Sequence, residues 1–503
     1  MRVFCLYLLL TFLASHSVIG QKKFYQEPHR PQFHFSPPAK WMNDPNGMVY
    51  YKGEYHLFYQ HYPDSTVWGP MHWGHAISKD MLHWQHQPIA LYPDAIGDIF
   101  SGSVVVDENN TSGFKKGTEA PLVAIFTYHY MPGEKAGRKD FQTQGIAYST
   151  DKGRTWTKYA NNPVIKNPGI KDFRDPKVSW HAASKQWVLT MAAGDEILFY
   201  HSPDLKNWEL GGRFGKEEGS HGGVWECPDL FELTTKEGKS KWVLLVSIGT
   251  GAPNGGSGTQ YFIGSFDGKT FTNENNKETK LWLDNGTDNY AGVTWYNAPG
   301  LRRLFLGWMS NWQYAQTVPT QKWRSAMTLP RELSLQETSK GFRLQTKPVA
   351  ETVTLRTKEN PVSVTAGKAY PLSLAELTLQ FDLSAAGGND LGIELRNKEN
   401  ESIRIGYNPT NNQFYINRTQ LQNTGFSKDF AAVHTAPRAA TGKQLAMHLF
   451  IDKSSVELFA DDGSVVMTDI FFPANEFNSV KIFQDPGSKA LQNGKLYILK
   501  SIW

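Results

Sequence analysis

Cysteine is nearly missing from this chain: 503 residues carry two, Cys5 and Cys227. Cys5 falls within an apparent leader, so the mature protein is expected to hold one thiol and no internal disulfide. That excludes a small disulfide-stapled domain. Stability must come instead from a large apolar core, which a chain of this length can build. Neither charge sign predominates, with Lys+Arg 52 against Asp+Glu 48. No long basic run occurs, which argues against nucleic acid as a partner. Past residue 20 no apolar run is long enough to span a bilayer. Residues 1–20 combine Arg2, an apolar stretch over 3–13 and Val18-Ile19-Gly20 before Gln21. This is the pattern of a secretory signal peptide, and export to the exterior or periplasm is expected without a membrane partner. Sequons at Asn109, Asn110, Asn285, Asn400 and Asn417 matter only in a host that glycosylates.

What the chain has in quantity is aromatic residues, 13% with 16 Trp, together with 44 Gly and 27 Pro. Short strands joined by tight turns fit that mixture better than helices. A small pattern recurs: Ser, any residue, Asp, then an aromatic four or five positions after the Asp. It occurs at Ser78-Lys79-Asp80 with Trp84, Ser149-Thr150-Asp151 with Trp156, Ser202-Pro203-Asp204 with Trp208, and Ser265-Phe266-Asp267 with Phe271. Each copy follows a strand-like run and reads as a turn between two strands, the Asp carboxylate accepting backbone N–H groups. The Asp residues are spaced by 71, 53 and 63, intervals that suit four-stranded sheets repeated radially. A further strand group, 291–335, lacks the turn motif. The expectation is an all-β chain: a five-bladed β-propeller over 21–340, then a C-terminal β-sandwich over 347–503. There Trp is sparse and alternating segments such as 377–383, 391–395 and 456–459 take over.

Three acids open strands: Asp44 in Trp41-Met42-Asn43-Asp44-Pro45-Asn46-Gly47, Asp175 in Phe173-Arg174-Asp175-Pro176, and Glu226 in Trp225-Glu226-Cys227-Pro228-Asp229. Each motif is followed by strand, turn and strand, which places the acids at the same point of the first, innermost strand of their blades. All three then face the axial pocket. One Asp-Pro alone is only a turn into a strand, but three at matching positions point to chemistry. Carboxylates crowded in one pocket must differ in protonation. An ionised nucleophile beside a protonated general acid is what glycoside hydrolysis requires.

These motifs resemble those of glycoside hydrolase family 32, the invertases, inulinases and levanases. Further matches are Phe58-Tyr59-Gln60, Trp68-Gly69-Pro70, Phe100-Ser101-Gly102-Ser103, Gly307-Trp308-Met309-Ser310-Asn311-Trp312 and Trp323-Arg324-Ser325, with Phe450-Ile451-Asp452 onward in the sandwich. The resemblance implies a β-fructofuranosidase acting on levan, inulin or sucrose, without a cofactor or metal. It makes Asp44 the nucleophile, Glu226 the acid/base and Asp175 the transition-state stabiliser. It places Asn43, Gln60, Trp68, Phe100, Ser101, Arg174 and Trp312 around the fructose. Asp288, in Asp288-Asn289-Tyr290-Ala291, is a weaker match, because the family usually has an aromatic where Asn289 stands. Cys227 beside Glu226 has two readings, a weak S–H donor tuning that acid or simply a small buried residue.

Other readings compete less well. Gly249-Thr250-Gly251 follows a strand, but a second strand comes next rather than a helix, so it is a hairpin loop and not a phosphate cradle. His72, His75, His83 and His86 spread over two strands and a turn, a poor metal set. The stretch 149–156 matches a sialidase-type turn motif, but that chemistry needs a Tyr nucleophile and an arginine cluster, neither of which is evident. An inactive fructan-binding protein is the non-enzymatic alternative, and the presence of all three acids opposes it.

Overall fold

The computed structural model describes residues 25–357 and 361–503; the expected leader, with Cys5, lies outside the described residues. Among the described residues the chain is almost all strand, with one short α-helix, Met131–Lys135. No helix among them is long and apolar enough to cross a membrane.

The N-terminal part forms five sheets, each built on four antiparallel strands laid down in chain order. Their first strands are β1 (Lys40–Tyr51), β2 (Asp98–Val106), β3 (Phe173–His181), β4 (Trp225–Thr234) and β5 (Tyr290–Thr294). The second strands are apolar runs buried on both sides, as in Leu122–His129, while the outer strand Trp84–Leu91 is part-exposed or exposed at every residue but Leu91. That gradient is what sheets standing radially around an axis produce. The first strands pack on one another in sequence, β1 on β2, β2 on β3, β3 on β4, β4 on β5, and β5 back on β1. A parallel pairing of Lys40 and Trp41 with Trp323 and Arg324 joins the last N-terminal segment to the first sheet. The fold is a β-propeller.

Each Ser-x-Asp motif forms the turn between the third and fourth strands of a sheet. Asp80 accepts the Leu82 and His83 N–H groups at 3.0 and 2.8 Å, Asp204 those of Lys206 and Asn207, and Asp267 those of Lys269 and Thr270. In the fifth sheet the corresponding strands, Arg331–Thr338 and Gly341–Pro348, turn without the motif. This hairpin carries the sheet beyond residue 340, because its alternation continues after the Trp-rich texture has ended.

The C-terminal part is a sandwich of two six-stranded sheets. Leu377, Ile393, Ile405, Phe414, Leu449 and Leu458 meet between them in one core. Strand β6 (Gln413–Gln420) belongs to one sheet and β7 (Val465–Ile470) to the other. The two halves meet along buried charge. Arg331 pairs with Asp284 at 2.8 Å and with Glu457 of the sandwich at 2.5 Å, and His34 bridges Asp452 and Glu457 at 2.8 and 2.9 Å.

Candidate active site

A β-bulge interrupts each of the five first strands near its start, two residues standing where the partner strand has one. The bulges fall between Met42 and Pro45, Ile99 and Gly102, Arg174 and Lys177, Glu226 and Asp229, and Tyr290 and Val293. A bulge bends a strand and re-aims its side chains. Here five of them, on strands that pack in a ring, turn polar groups toward one place. Asp175, Cys227 and Ala291 hold left-handed φ of 64°, 44° and 53° within their bulges, conformations uncommon for non-glycine residues.

The three acids therefore share a level but not a register, which corrects the expectation that they occupy identical positions. Glu226 is the last paired residue before its bulge, Asp175 the first bulged residue and Asp44 the second. The offset lets three carboxyls approach from different directions.

The three acids and the seven residues expected around the fructose line one open cavity of about 260 Å³: Asn43, Asp44, Gln60, Trp68, Phe100, Ser101, Arg174, Asp175, Glu226 and Trp312. Asp44 accepts from Asn43 Nδ2 at 2.9 Å and from Ser101 Oγ at 2.8 Å, one bond on each oxygen. Asp175 Oδ2 accepts the Cys227 backbone N–H at 3.0 Å. Arg174 donates to Glu226 Oε1 from Nε and Nη2 at 3.2 and 2.9 Å, and to Asp172 from Nη1 at 2.7 Å. Tyr290 Oη donates to the other Glu226 oxygen. Trp312 stacks on Trp41, whose Nε1 holds Asn43 at 2.7 Å, and Trp68 meets Phe100 edge-on.

Residues 34–348 match the glycosyl hydrolases family 32 N-terminal domain, and residues 339–498 match the family's C-terminal domain. The chain belongs to glycosyl hydrolase family 32. It is similar to a levanase of Bacillus subtilis (strain 168), 47% identical over 520 residues covering 100% of this chain and 75% of that protein. The crystal structure of an exo-inulinase from Aspergillus awamori superposes with a TM-score of 0.88 at 36% identity, covering 95% of this chain and 100% of that one. A β-fructofuranosidase from Schwanniomyces occidentalis, complexed with fructosyl-erythritol, does so at 0.84 and 33% identity, covering 95% and 99%.

In this family 32 pocket the electrostatics are dominated by burial. Burial pushes Asp44 above the usual carboxylate range and the Glu226 charge adds to it, while the Asn43 and Ser101 hydrogen bonds oppose the rise. Asp175 is raised to about 7, first by burial and then by Glu226 and Asp44, with the Arg174 guanidinium working against them. The Cys227 thiol is held well above its ordinary value by burial and the adjoining carboxylates. It lies 3.6 Å from Asp44 and 3.7 Å from Asp175. Of the two readings of Cys227, the buried one holds, and its S–H contacts go to these two acids rather than to Glu226.

The structure adds residues that the family 32 motifs did not single out. Tyr290, within the weaker-matching Asp288 segment, fixes Glu226. His129, Glu134, Gln142, Asp172 and Gln316 also line the cavity. His129 stacks on Phe100 and pairs with Glu134 at 3.0 Å, and burial lowers its pKa against that pairing. These residues come from strand ends, loops and the short helix Met131–Lys135, without a local motif, so only the fold brings them together. Asp288 lies outside the cavity, 3.0 Å from the Arg418 guanidinium. Asn289 occupies the space over Gly307, where a Cβ would come within 2.2 Å of its Oδ1. His75 faces His56, His83 faces Asp80 and His86 faces Tyr25, so these histidines have separate neighbours.

Proposed function

We propose that this chain is a secreted, retaining, exo-acting β-D-fructofuranosidase that releases terminal fructose from levan, inulin and sucrose. The names of the relatives, levanase, exo-inulinase and β-fructofuranosidase, support the substrate class. The observation that carries the reading is the carboxyl set at one small cavity. At about 260 Å³ it lies below the ~300–1,000 Å³ common for ligand pockets, which suits one furanose ring better than a run of them. We read the five N-terminal sheets as five blades, with the catalytic unit ending near the hairpin 331–348 and the sandwich following. Export rests on residues 1–20 acting as a signal peptide.

In this reading Asp44 attacks the fructosyl anomeric carbon while Glu226 gives a proton to the departing oxygen, leaving a covalent fructosyl-enzyme. Glu226 then takes a proton from water as that water attacks the same carbon and releases Asp44. Two displacements restore the β configuration. Asp175 accepts hydroxyl hydrogen bonds and stabilises the oxocarbenium-like transition state without transferring a proton. Arg174 and Tyr290 each hold one oxygen of Glu226, which fixes the orientation of its carboxyl group in the cavity. Asn43, Gln60 and Ser101 meet the ring's polar rim, and Trp68, Phe100 and Trp312 wall its apolar face.

Incubation with sucrose, levan and inulin, followed by reducing-sugar assay and product chromatography, tests the proposal. Fructose should dominate from the first minutes while polymer length falls slowly. Early three- to five-unit oligosaccharides would overturn the exo assignment, and no release from any substrate would overturn the hydrolase.

A further inference from the structure

No sandwich residue lines the cavity among the described residues, yet one of them reaches toward its wall. Arg418 on β6 is fully buried, and its guanidinium makes four hydrogen bonds. Nε donates to Phe430 O at 2.5 Å, Nη1 to Ile470 O at 2.9 Å and Asp288 Oδ2 at 3.0 Å, and Nη2 to Tyr314 Oη at 3.0 Å. Tyr314 Oη in turn donates to Asp288 Oδ1 at 2.7 Å. Arg418, Asp288 and Tyr314 thus form a closed triangle across the boundary between the two halves.

Two short segments leave this triangle for the pocket. Tyr314 centres the turn 311–318: its N–H donates to Asn311 O, and its carbonyl accepts the Thr317 and Val318 N–H groups. That turn presents Trp312 and Gln316 to the cavity, and Gln316 Oε1 receives the Trp68 N–H at 3.3 Å. Asp288 stands two residues before Tyr290, whose hydroxyl fixes Glu226. The same stretch is laid along β7 of the sandwich. Asn285 N–H donates to Val466 O at 2.8 Å, Asp288 N–H to Thr468 O at 3.0 Å, and Ile470 N–H to Asp288 Oδ2 at 3.0 Å.

A buried ion pair often contributes little net stability compared with an apolar filling of the same volume, and in some proteins its role is to specify geometry. We propose that Arg418 is a positioning residue of the active site. From the sandwich, through Tyr314 and Asp288, it sets the turn that carries Trp312 and Gln316, and so the shape of the fructose pocket. This inference rests on the function proposed above. It makes the sandwich a working part of the fructose site although it contributes no lining residue.

Steady-state kinetics on sucrose with the full chain, read beside melting temperature, tests it. Arg418→Met strands Asp288 and risks misfolding, so Tyr314→Phe, which removes only the bridging hydroxyl, is the principal variant. A displaced wall residue weakens ring binding, and a misplacement of about 1 Å costs up to ~100-fold. Tyr314→Phe is therefore expected to raise KM about tenfold, with kcat changed much less. Arg418→Lys, which keeps the charge opposite Asp288, should restore part of the difference relative to Arg418→Met. A lowered melting temperature with KM and kcat at wild-type values in Tyr314→Phe would make the triangle mere adhesion and overturn the inference. Wild-type protein inactive on sucrose, levan and inulin would instead overturn the functional reading on which it rests.

Discussion

Replacing Asp175 with Asn separates what this carboxyl costs the fold from what it does in the pocket. Its residue is 5% exposed, and it accepts a single backbone N–H, from Cys227. Burial and the Glu226 and Asp44 charges raise it from 3.8 to about 7 despite Arg174. Between about pH 4 and 7 the folded chain therefore keeps a proton that the unfolded chain has released. Stability from this group is complete below pH 4 and is lost as pH rises through 7. A gap of about three pH units corresponds to about 4 kcal/mol as an upper bound. An amide cannot ionise but still accepts the Cys227 N–H, so the Asn variant escapes that loss. Unfolding entropy of roughly 2.1 cal/mol/K per residue makes 4 kcal/mol worth about 4 °C in a chain of this size. Thermal melts at pH 4, 6 and 8 should show Asp175→Asn close to wild type at pH 4 and more stable by up to a few degrees at pH 8. Turnover should meanwhile fall by an amount comparable to the ~3–4 kcal/mol seen on losing a transition-state contact. A melting difference that stays flat with pH, or a variant less stable at pH 8, would refute the reasoning.

Other expectations concern the remaining parts. Asp44→Asn should abolish turnover, since an amide cannot form the fructosyl-enzyme; near-normal activity would remove the nucleophile assignment. Glu226→Gln should be crippled on sucrose, whereas its first step, read as the burst of leaving group from a fructoside with a very good leaving group, should be much less affected while steady-state turnover stays slow. NMR of the first product should record β-fructofuranose, and initial α anomer would mean a single displacement. Gly286→Ala should destabilise the joint between the two halves, because a Cβ there would sit 2.2 Å from the Thr468 backbone. Its loss should fall in the range of about 1–3 kcal/mol for overpacking, measured by denaturant unfolding.

The legible parts were those written in local chemistry. The Ser-x-Asp turns and the Asp-Pro and Glu-Cys motifs carry their geometry within a few residues, so blade turns and acids could be read directly. The relative placement of the acids could not, because a bulge is a mismatch between two strands and leaves no mark on one of them. For the same reason Cys227 looked like a neighbour of Glu226, while its left-handed φ points the thiol toward Asp44 and Asp175. The roles of Tyr290 and Arg418 are not legible in the sequence, because their partners lie 64 and 130 positions away. The expected bound at 340 falls inside the hairpin 331–348, whose strands lack the aromatic texture of the earlier sheets although its pairing is regular throughout.

The central claim is that Asp44 carries the fructosyl group between two displacements. Glu226→Gln, given a fructoside with a very good leaving group, lacks the base for the second step and should accumulate the covalent intermediate. After acid quench and proteolysis, mass spectrometry should find one fructosyl unit on the peptide containing Asp44, and none when Asp44→Asn is added. A label on another residue, or rapid release with no label anywhere, would contradict the account.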